Sequence, residues 1–256
     1  MRAVALAALL AGAEWFLTQP AAGQETKQQV YRPGLRNSFA GGRLSAKELD
    51  LALARLRSKA GFERMRFDEA GFLTIDDRSR VVGGSATARE LLLAAVDGKR
   101  SINLQSRNHS PEVVFARVGE RMKYTNQRSG ERIEMAPIEI DFADFQHLRG
   151  EKEVLEAFDL GFAILHELCH VALELRDPSE EGEAAGDCER HINRIRRELG
   201  MLERQRYVAN VYNERSTNPL AGIIAELTFA QIRPGVKTKR LFLTWDVRKV
   251  GNANLR

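Results

Sequence analysis

Two histidines four residues apart, with a glutamate directly after the first, stand in the segment LGFAILHELCHVALELRD at residues 160–177. On a helix, His166 and His170 lie one turn apart and project from the same face. Glu167 lies about 100° further round the helix, close enough to reach a water on a metal that both imidazoles bind. This pattern predicts a metal site for hydrolysis, in which neutral imidazoles hold the ion and the carboxylate accepts a proton from water.

The residues around this motif favour a metal over an ordinary helix. GFAIL precedes it and VAL follows it, so the helix is predicted to be buried. Imidazoles and a carboxylate are costly in an apolar environment unless something satisfies them. Histidines that are hydrogen-bonded within the core are the simpler alternative. We expect a metal ion instead, and zinc is the ion that this pattern usually binds.

A catalytic zinc ion usually has three protein ligands and keeps a fourth position for water. Glu174 faces the right way on the same helix, but it lies about 12 Å from His166 along the axis. The compact metzincin pattern needs a glycine and a histidine three and six residues after the second histidine, where this chain has Leu173 and Arg176. The third ligand is therefore expected beyond this helix.

A second helix, predicted from about Glu183 to Leu199, follows the break at Asp177–Pro178. Its acidic and imidazole side chains lie on two faces that are about 160° apart. The candidates for the third ligand are Glu183, Asp187, Glu189 and His191. A solvated, acidic helix start is the simpler interpretation of the same residues.

Glu189 follows the motif after eighteen intervening residues, and with this spacing the chain resembles the gluzincin class of metallopeptidases. The shorter variants of that class place their glutamate ligand at this distance. The zinc ligands that the resemblance implies are His166, His170 and Glu189, with Glu167 as the general base. In several gluzincins an acidic residue four positions after the ligand hydrogen-bonds a histidine, and Asn193 occupies that position here. The resemblance covers residues 160–200 only.

The resemblance also implies a zincin-like α+β fold. In that fold a small twisted sheet packs on the motif helix, and a second ligand-bearing helix and a smaller C-terminal part follow. The order of the predicted elements (helix, strands, helix, helix) also indicates α+β. PIEIDF, at residues 137–142, is the predicted edge strand for an extended substrate. The class uses a tyrosine or histidine to stabilise the oxyanion, and the candidates here are Tyr207, Tyr212 and His147.

Capping signals place two helices before the strands. Ser45, with Glu48 three residues later, begins one of them, and Thr87 with Glu90 begins the other. The motif helix is predicted as one element from Glu151 to Arg176. In the C-terminal part, ERQRYVANVYNERS is predicted to be helical and KRLFLTWDVRKV to be a strand.

The N-terminus has the features of a secretory signal peptide. Arg2 precedes an apolar run from Ala3 to Leu10, and small residues follow. The run is too short to cross a bilayer, which needs about 20 apolar residues. We predict a signal peptide at residues 1–23, a polar segment at 24–42 and a zincin-like domain at 43–256. The mature protein is expected to be secreted or periplasmic, without stable membrane insertion. An apolar helix that stays attached is the alternative.

The charge and the cysteine content limit the possible partners and the cellular compartment. The chain has 39 basic and 35 acidic residues, a formal charge of +4 that is spread along the sequence. A nucleic-acid binder usually shows a concentrated basic stripe, so we expect no nucleic acid partner. Cys169 and Cys188 could form a disulfide bridge that clamps the two helices, or stay as separate buried thiols. The sequence favours neither outcome.

Three functions fit these patterns. The first, which we favour, is an exported zinc metallopeptidase that cleaves a peptide or protein substrate, with Glu167 as the general base. The second is a non-catalytic zinc protein that uses the same residues as a structural or binding module. The third is a basic structural or interaction domain without a metal.

Overall fold

The computed structural model describes residues 32–37, 42–125, 130, 132–178, 185–213, 222–231 and 238–251. All of them belong to one compact unit that extends from Tyr31 to Arg256. The predicted signal peptide, at residues 1–23, lies outside the described residues. Within the described ranges, every helix is too short or too polar to cross a lipid bilayer.

The described part combines helices and strands, as the predicted α+β class requires. The helices are α1 (Ala46–Ala60), α2 (Ala86–Asp97), α3 (Lys152–Ala157), α4 (Leu160–Ala172) and α5 (Asp187–Glu198). The strands of the first half are β1 (Gly34–Arg36), β2 (Met65–Phe67), β3 (Leu73–Ile75), β4 (Ser101–Ser106), β5 (Ala116–Val118), β6 (Met122–Thr125) and β7 (Arg132–Ile140). Those of the C-terminal part are β8 (Glu203–Arg204), β9 (Asn210–Asn213), β10 (Ile223–Gln231) and β11 (Lys239–Asp246).

The largest sheet positions the motif helix. Its strands run in the order β1, β4, β7, β5, with the first three parallel to one another and β5 antiparallel to β7. Strand β6 also pairs with β7, next to β5. Apolar residues of this sheet share one buried core with α1, α2, α4 and α5. The sheet contributes Ile102, Leu104 and Ile138 to this core, and the helices contribute residues such as Leu165 and Ile192. Strand β5 lies directly against α4.

The predicted edge strand is wrong. PIEIDF overlaps β7, which pairs with β4 along one side and with β5 and β6 along the other. The edge next to the motif helix is β5, which consists of the last three residues of EVVFARV (residues 112–118), a segment that the sequence also predicts to be a strand. Residues 34–36, which the sequence assigns to the polar segment before the domain, form β1 of the sheet. The compact unit therefore begins ahead of residue 43.

The capping prediction is confirmed for the first helix and shifted for the second. Ser45 and Glu48 form the predicted capping box of α1. At α2 the N-cap is Ser85, whose hydroxyl oxygen accepts from the Ala88 N–H at 3.0 Å. Thr87 instead donates its hydroxyl to Glu198 at the end of α5, at 2.6 Å. A carboxylate from another helix, which the local sequence does not reveal, therefore completes this helix start.

The motif helix is shorter than predicted. The chain forms two helices, α3 and α4, because Asp159 caps a new helix start by accepting from the Phe162 N–H at 3.1 Å. Lys59 of α1 holds the same carboxylate at 2.9 Å. At the other end α4 stops at Ala172, four residues before the predicted end at Arg176. The residues after Ala172 are thus free to fold back on the helix.

The C-terminal part is a second, antiparallel sheet. Strand β10 lies between β11 and β8, and β9 also pairs with β10. The predicted strand KRLFLTWDVRKV is confirmed as β11, whereas the predicted helix in ERQRYVANVYNERS is wrong, because this segment supplies β8 and β9. The buried side chains of this sheet that pack near α3 include Leu227, Phe229, Leu243 and Trp245. This second core adjoins the motif helix through Phe158, directly before α4.

Candidate metal centre

The two motif histidines meet at one carboxylate. His166 and His170 lie on the same face of α4, as predicted, with ring centroids 5.0 Å apart. His166 Nε2 is 3.1 Å from Asp177 Oδ1, and His170 Nε2 is 3.2 Å from Asp177 Oδ2. Two imidazoles and one carboxylate therefore converge on a common point, but the carboxylate is not the one that the sequence predicted.

The loop after α4 brings Asp177 to this place. The backbone N–H groups of Leu173 and Leu175 both donate to the Cys169 carbonyl at 3.2 Å, which closes the helix end. Between them, Glu174 adopts the left-handed conformation with φ 57°. The Leu175 carbonyl oxygen then accepts from His170 Nδ1 at 2.8 Å. This bond orients the imidazole so that Nε2 faces the aspartate, a common arrangement for a metal-binding histidine.

Four side chains in this region could hold a metal ion. Their ligand atoms all lie within 4.8 Å of one another, and the residues are His166, His170, Asp177 and Cys188. The Cys188 sulfur is 3.2 Å from His170 Nδ1, the ring nitrogen opposite the one that faces Asp177. Imidazole, carboxylate and thiolate are donors that zinc accepts, although other divalent transition metals accept them as well.

The two cysteines are free and buried. Cys169 and Cys188 are in hydrogen-bond contact, and this contact together with burial raises the pKa of the Cys188 thiol. The bridge that the sequence left open is thus not formed in the structure, although α4 and α5 do meet at these two residues. Of the two, Cys188 contacts the His170 ring, with its sulfur 3.2 Å from Nδ1.

Glu189, the ligand that the resemblance implied, lies outside the group of four. Its carboxylate is buried and accepts from Arg196 and from Arg204 Nη1, the latter at 3.1 Å. Burial raises the pKa of Glu189, but the charges of these two arginines outweigh it and hold the pKa below its usual value. Its nearest approach to the histidines is 3.7 Å, from Oε2 to His166 Nδ1. Two guanidinium groups already satisfy this carboxylate, and it is Asp177 that faces the Nε2 atoms of both histidines.

Asn193 does not contact an imidazole, contrary to the prediction. Its side-chain oxygen accepts from Arg196 Nη1 at 2.8 Å and from the Arg204 N–H at 2.9 Å. Its amide nitrogen donates to the Arg204 carbonyl at 2.8 Å. Asn193 therefore contacts the two arginines that hold Glu189, and an arginine and Glu189 separate it from His166.

Glu167 lies between the helix and the sheet edge. Its side chain is buried and lies next to the backbone of Val118 in β5. Burial raises the pKa of Glu167, and the neighbouring His166 and His170 offset part of that effect. The glutamate of the motif thus lies between the edge strand and the face of α4 that carries the two histidines.

Among the three oxyanion candidates, the structure brings only Tyr207 to the site. Its hydroxyl donates to Asp177 Oδ2 at 2.6 Å, and its ring stacks on His166 with centroids 5.9 Å apart. Burial and the bond to Asp177 raise the pKa of Tyr207. Tyr212 lies on β9, where its hydroxyl contacts Glu226 at 3.3 Å. His147 lies in the 3₁₀ turn before α3.

The contacts with Asp177 also set the charge of the site. Burial lowers the pKa of His170, but its hydrogen bonds to Asp177, Cys188 and the Leu175 carbonyl outweigh this and raise it to about 11. Burial raises the pKa of Asp177, whereas its bonds to both histidines and to Tyr207 lower it further than burial raises it. Metal ligands bind as neutral imidazole and ionised carboxylate, so an ion competes with a proton for the His170 imidazole.

A cavity of ≈ 390 Å³ opens beside His166. His166 and Glu167 line one wall, and residues 114–117 at the edge strand line another. Much of the rest is apolar and includes Phe115, Phe158, Phe162, Leu227 and Trp245. The Phe115 ring packs edge-on against Phe158 and Trp245, with centroids 5.2 Å apart in both pairs. A mainly apolar cavity with a few convergent polar groups is the usual form of a binding site for a small group.

Comparison with known proteins finds no family model, no curated protein and no solved structure that matches this chain.

Proposed function

We propose that the chain is a zinc-dependent metallopeptidase in which His166, His170 and Asp177 hold the ion and Glu167 is the general base. The observation that supports it is the approach of both Nε2 atoms to one carboxylate, at 3.1 and 3.2 Å, beside a buried glutamate. Two imidazoles and a carboxylate are a donor set of catalytic zinc sites, in which the fourth position is left for water.

Zinc bound there would supply a Lewis acid that polarises the scissile carbonyl and acidifies water. Glu167 accepts the proton of the attacking water and passes it to the leaving amine. Val118 lies next to the same carboxylate, so the base is placed beside the edge strand. The Tyr207 hydroxyl donates to Asp177 in the structure. It lies close enough to the site to donate instead to the oxyanion that forms during the reaction.

The substrate in this proposal is an extended peptide that adds to β5. This strand pairs with β7 along one side, and among the strands that the structure describes it is the last on that side of the sheet. An edge strand offers backbone N–H and C=O groups to an added strand. The apolar cavity next to Glu167 would then receive one substrate side chain. The prediction of export, with a signal peptide at residues 1–23 and a secreted or periplasmic product, belongs to the same proposal.

Cys188 favours a second candidate, a non-catalytic zinc protein. Its sulfur belongs to the group of four side chains whose ligand atoms lie within 4.8 Å of one another. A zinc ion with four protein ligands has no position for water, which is the usual form of a structural site. The two candidate functions therefore differ in one ligand, because a peptidase requires that Cys188 does not bind the ion.

Glu167→Gln tests the proposal. We expect wild-type protein to bind about one zinc ion per chain and to cleave members of a mixed peptide library, with the cut sites read by mass spectrometry. The variant should retain the zinc and lose about 10²–10⁴-fold in turnover, the usual contribution of a general acid–base group. Equal cleavage by both proteins would show that the activity comes from a contaminant. Zinc binding without any cleavage would favour the structural candidate.

A further inference from the structure

Phe115 stands in a strained turn directly before the edge strand β5. Its φ of 64° lies in the left-handed region, which a bulky side chain rarely adopts. The Ala116 N–H donates to the Val114 carbonyl at 2.8 Å, across this single residue. A hydrogen bond of that span around a residue with positive φ is the mark of a γ-turn of the rare and strained kind. Such strain persists where the surrounding structure holds it, and it concentrates at binding and catalytic sites.

A buried aspartate holds this turn. Asp144 is 3% exposed, and its Oδ2 accepts from the Phe115 N–H at 2.9 Å. On the other side of the residue, the Asp141 N–H donates to the Phe115 carbonyl at 3.0 Å. The segment after β7 therefore fixes both backbone polar groups of Phe115, and the side chain leaves the backbone in a fixed direction.

The Phe115 ring belongs to an aromatic wall of the cavity beside His166. Its centroid lies 5.3 Å from that of Phe145, in addition to the edge-on contacts with Phe158 and Trp245. Phe115, Phe158 and Trp245 all line the cavity. Aromatic rings attract one another in edge-to-face or offset arrangements, and such a pair stabilises beyond the burial of its area. An aromatic ligand group would gain these contacts here, whereas an aliphatic group would gain burial only.

Apart from the two motif residues, the charged residues that line the cavity pair with one another. Arg196 and Arg204 both donate to Glu189, and none of these three side chains is more than 12% exposed. In the exposed part of the lining, Glu112 Oε2 is 3.1 Å from Arg117 Nη2. A charged ligand group would lose its hydration here and meet charges that already have partners, which is unfavourable. The lining therefore favours an uncharged, apolar occupant.

We propose that this cavity recognises an aromatic side chain, and that Asp144 positions Phe115 as part of its wall. That the side chain belongs to a cleaved peptide rests on the proposed function. His166 and Glu167 line the same cavity, so the aromatic residue would stand next to the scissile bond. Residues 114–117 line it as well, and a peptide added to β5 would direct alternate side chains toward it. The substrate class is thus peptides with phenylalanine, tyrosine or tryptophan beside the cleaved bond.

Saturation-transfer NMR of the full chain with N-acetyl-phenylalaninamide tests the cavity without any cleavage. Ala209→Phe should abolish binding, because this partly buried residue lines the cavity from outside the helices and strands and the new ring would fill it. Its control is Val208→Phe, which adds a ring at a neighbour that is 55% exposed and does not line the cavity. The control should bind like the wild type, and N-acetyl-alaninamide should bind to none of these proteins.

Two further variants test the wall. Phe115→Leu keeps the cavity apolar and removes one ring, so the preference for N-acetyl-phenylalaninamide over N-acetyl-leucinamide should fall about 2–12-fold, the equivalent of one aromatic pair. Asp144→Asn leaves one acceptor oxygen for the two N–H groups, of Phe115 and Gly251, that the carboxylate now binds. This variant should lower the same preference. A purely structural role of Asp144 would lower stability and leave the preference unchanged.

Cleavage of the mixed peptide library separates this site from the peptidase activity. The wild-type cuts should be enriched in aromatic residues at one position beside the bond, and Ala209→Phe should lose this enrichment. Cleavage without any aromatic preference overturns the aromatic site and leaves the peptidase intact. Binding of N-acetyl-phenylalaninamide without any cleavage supports the aromatic site and overturns the peptidase. If the wild type does not bind this amide, or if Ala209→Phe and Phe115→Leu both bind it unchanged, the cavity has no such role.

Discussion

Asp177→Asn and Glu189→Gln are matched changes that separate the two candidates for the third ligand. Each replaces one carboxylate oxygen by an amide nitrogen and keeps the size of the side chain. Asp177 faces both imidazoles at 3.1 and 3.2 Å, whereas Glu189 faces Arg196 and Arg204. The two variants should therefore lose different properties, one its metal and the other its stability.

Asp177→Asn should lose zinc and stay folded. Removal of a group that only orients a metal ligand typically weakens metal binding 10–100-fold. Loss of a charged ligand should exceed that range, so we expect zinc affinity to fall by more than about 100-fold, or about 2.7 kcal/mol. Without zinc, the variant loses hydrogen bonds to Tyr207 and the histidines, which amounts to about 1–2 kcal/mol of unfolding free energy. Competition with a fluorescent chelator measures the affinity.

Glu189→Gln should lose stability and keep zinc. The side chains of Glu189 and Arg196 are 1% and 2% exposed, so the variant leaves a buried guanidinium without its countercharge. Removing one partner of a buried ion pair destabilises by about 3–5 kcal/mol. Arg204 is 12% exposed and keeps some hydration, so we expect about 3 kcal/mol in urea unfolding followed by circular dichroism. Zinc affinity should fall by about tenfold at most, because only the 3.7 Å contact with His166 changes.

Asp187→Asn is the control for both variants, because this carboxylate lies on the same helix as Glu189 and is 58% exposed. It was also one of the ligand candidates from the sequence, and we expect it to change neither zinc affinity nor stability. If Glu189→Gln loses zinc while Asp177→Asn retains it, the ligand assignment is reversed. Wild-type zinc affinity in Asp177→Asn contradicts the assignment even if Glu189→Gln does not fold.

Two further predictions concern acid stability and the fourth ligand. Burial raises the pKa of Glu198, but hydrogen bonds from Ser85 and Thr87 outweigh it and lower the pKa from 4.5 to about 2. The contribution of Glu198 to stability is thus complete above pH 4.5 and disappears as the pH falls to about 2. Because the Glu198 side chain is 28% exposed, we expect Glu198→Gln to lower the free energy of unfolding by about 1 kcal/mol at pH 7 and to leave it unchanged near pH 2, as measured by urea unfolding. In the open site of a peptidase, Cys188→Ala should keep zinc near one per chain by elemental analysis, and loss of the metal would indicate a closed structural site.

The sequence predicted the motif helix but neither its start nor its end. The apolar run and the four-residue spacing correctly indicated a buried helix with His166 and His170 on one face. A helix that continued to Arg176 would place Asp177 about 10 Å along the axis from His170, too far to share an ion. The helix ends at Ala172 instead, and Glu174 turns the chain back in a left-handed conformation. Helix ends are difficult to predict to within a few residues, and here four residues decide which carboxylate meets the histidines.

The error at Glu189 has a different cause, since its helix was predicted well. A buried carboxylate needs a countercharge, and Arg196 lies seven residues later on the same face of α5. That cation was therefore visible in the sequence and argued against a free ligand. Arg204 was not visible, because it reaches the carboxylate from β8, in a segment predicted to be helical. Both arginines hold the Glu189 carboxylate on the Nδ1 side of His166, at 3.7 Å. From there Glu189 can orient the His166 imidazole, while Asp177 contacts the opposite ring nitrogen, Nε2.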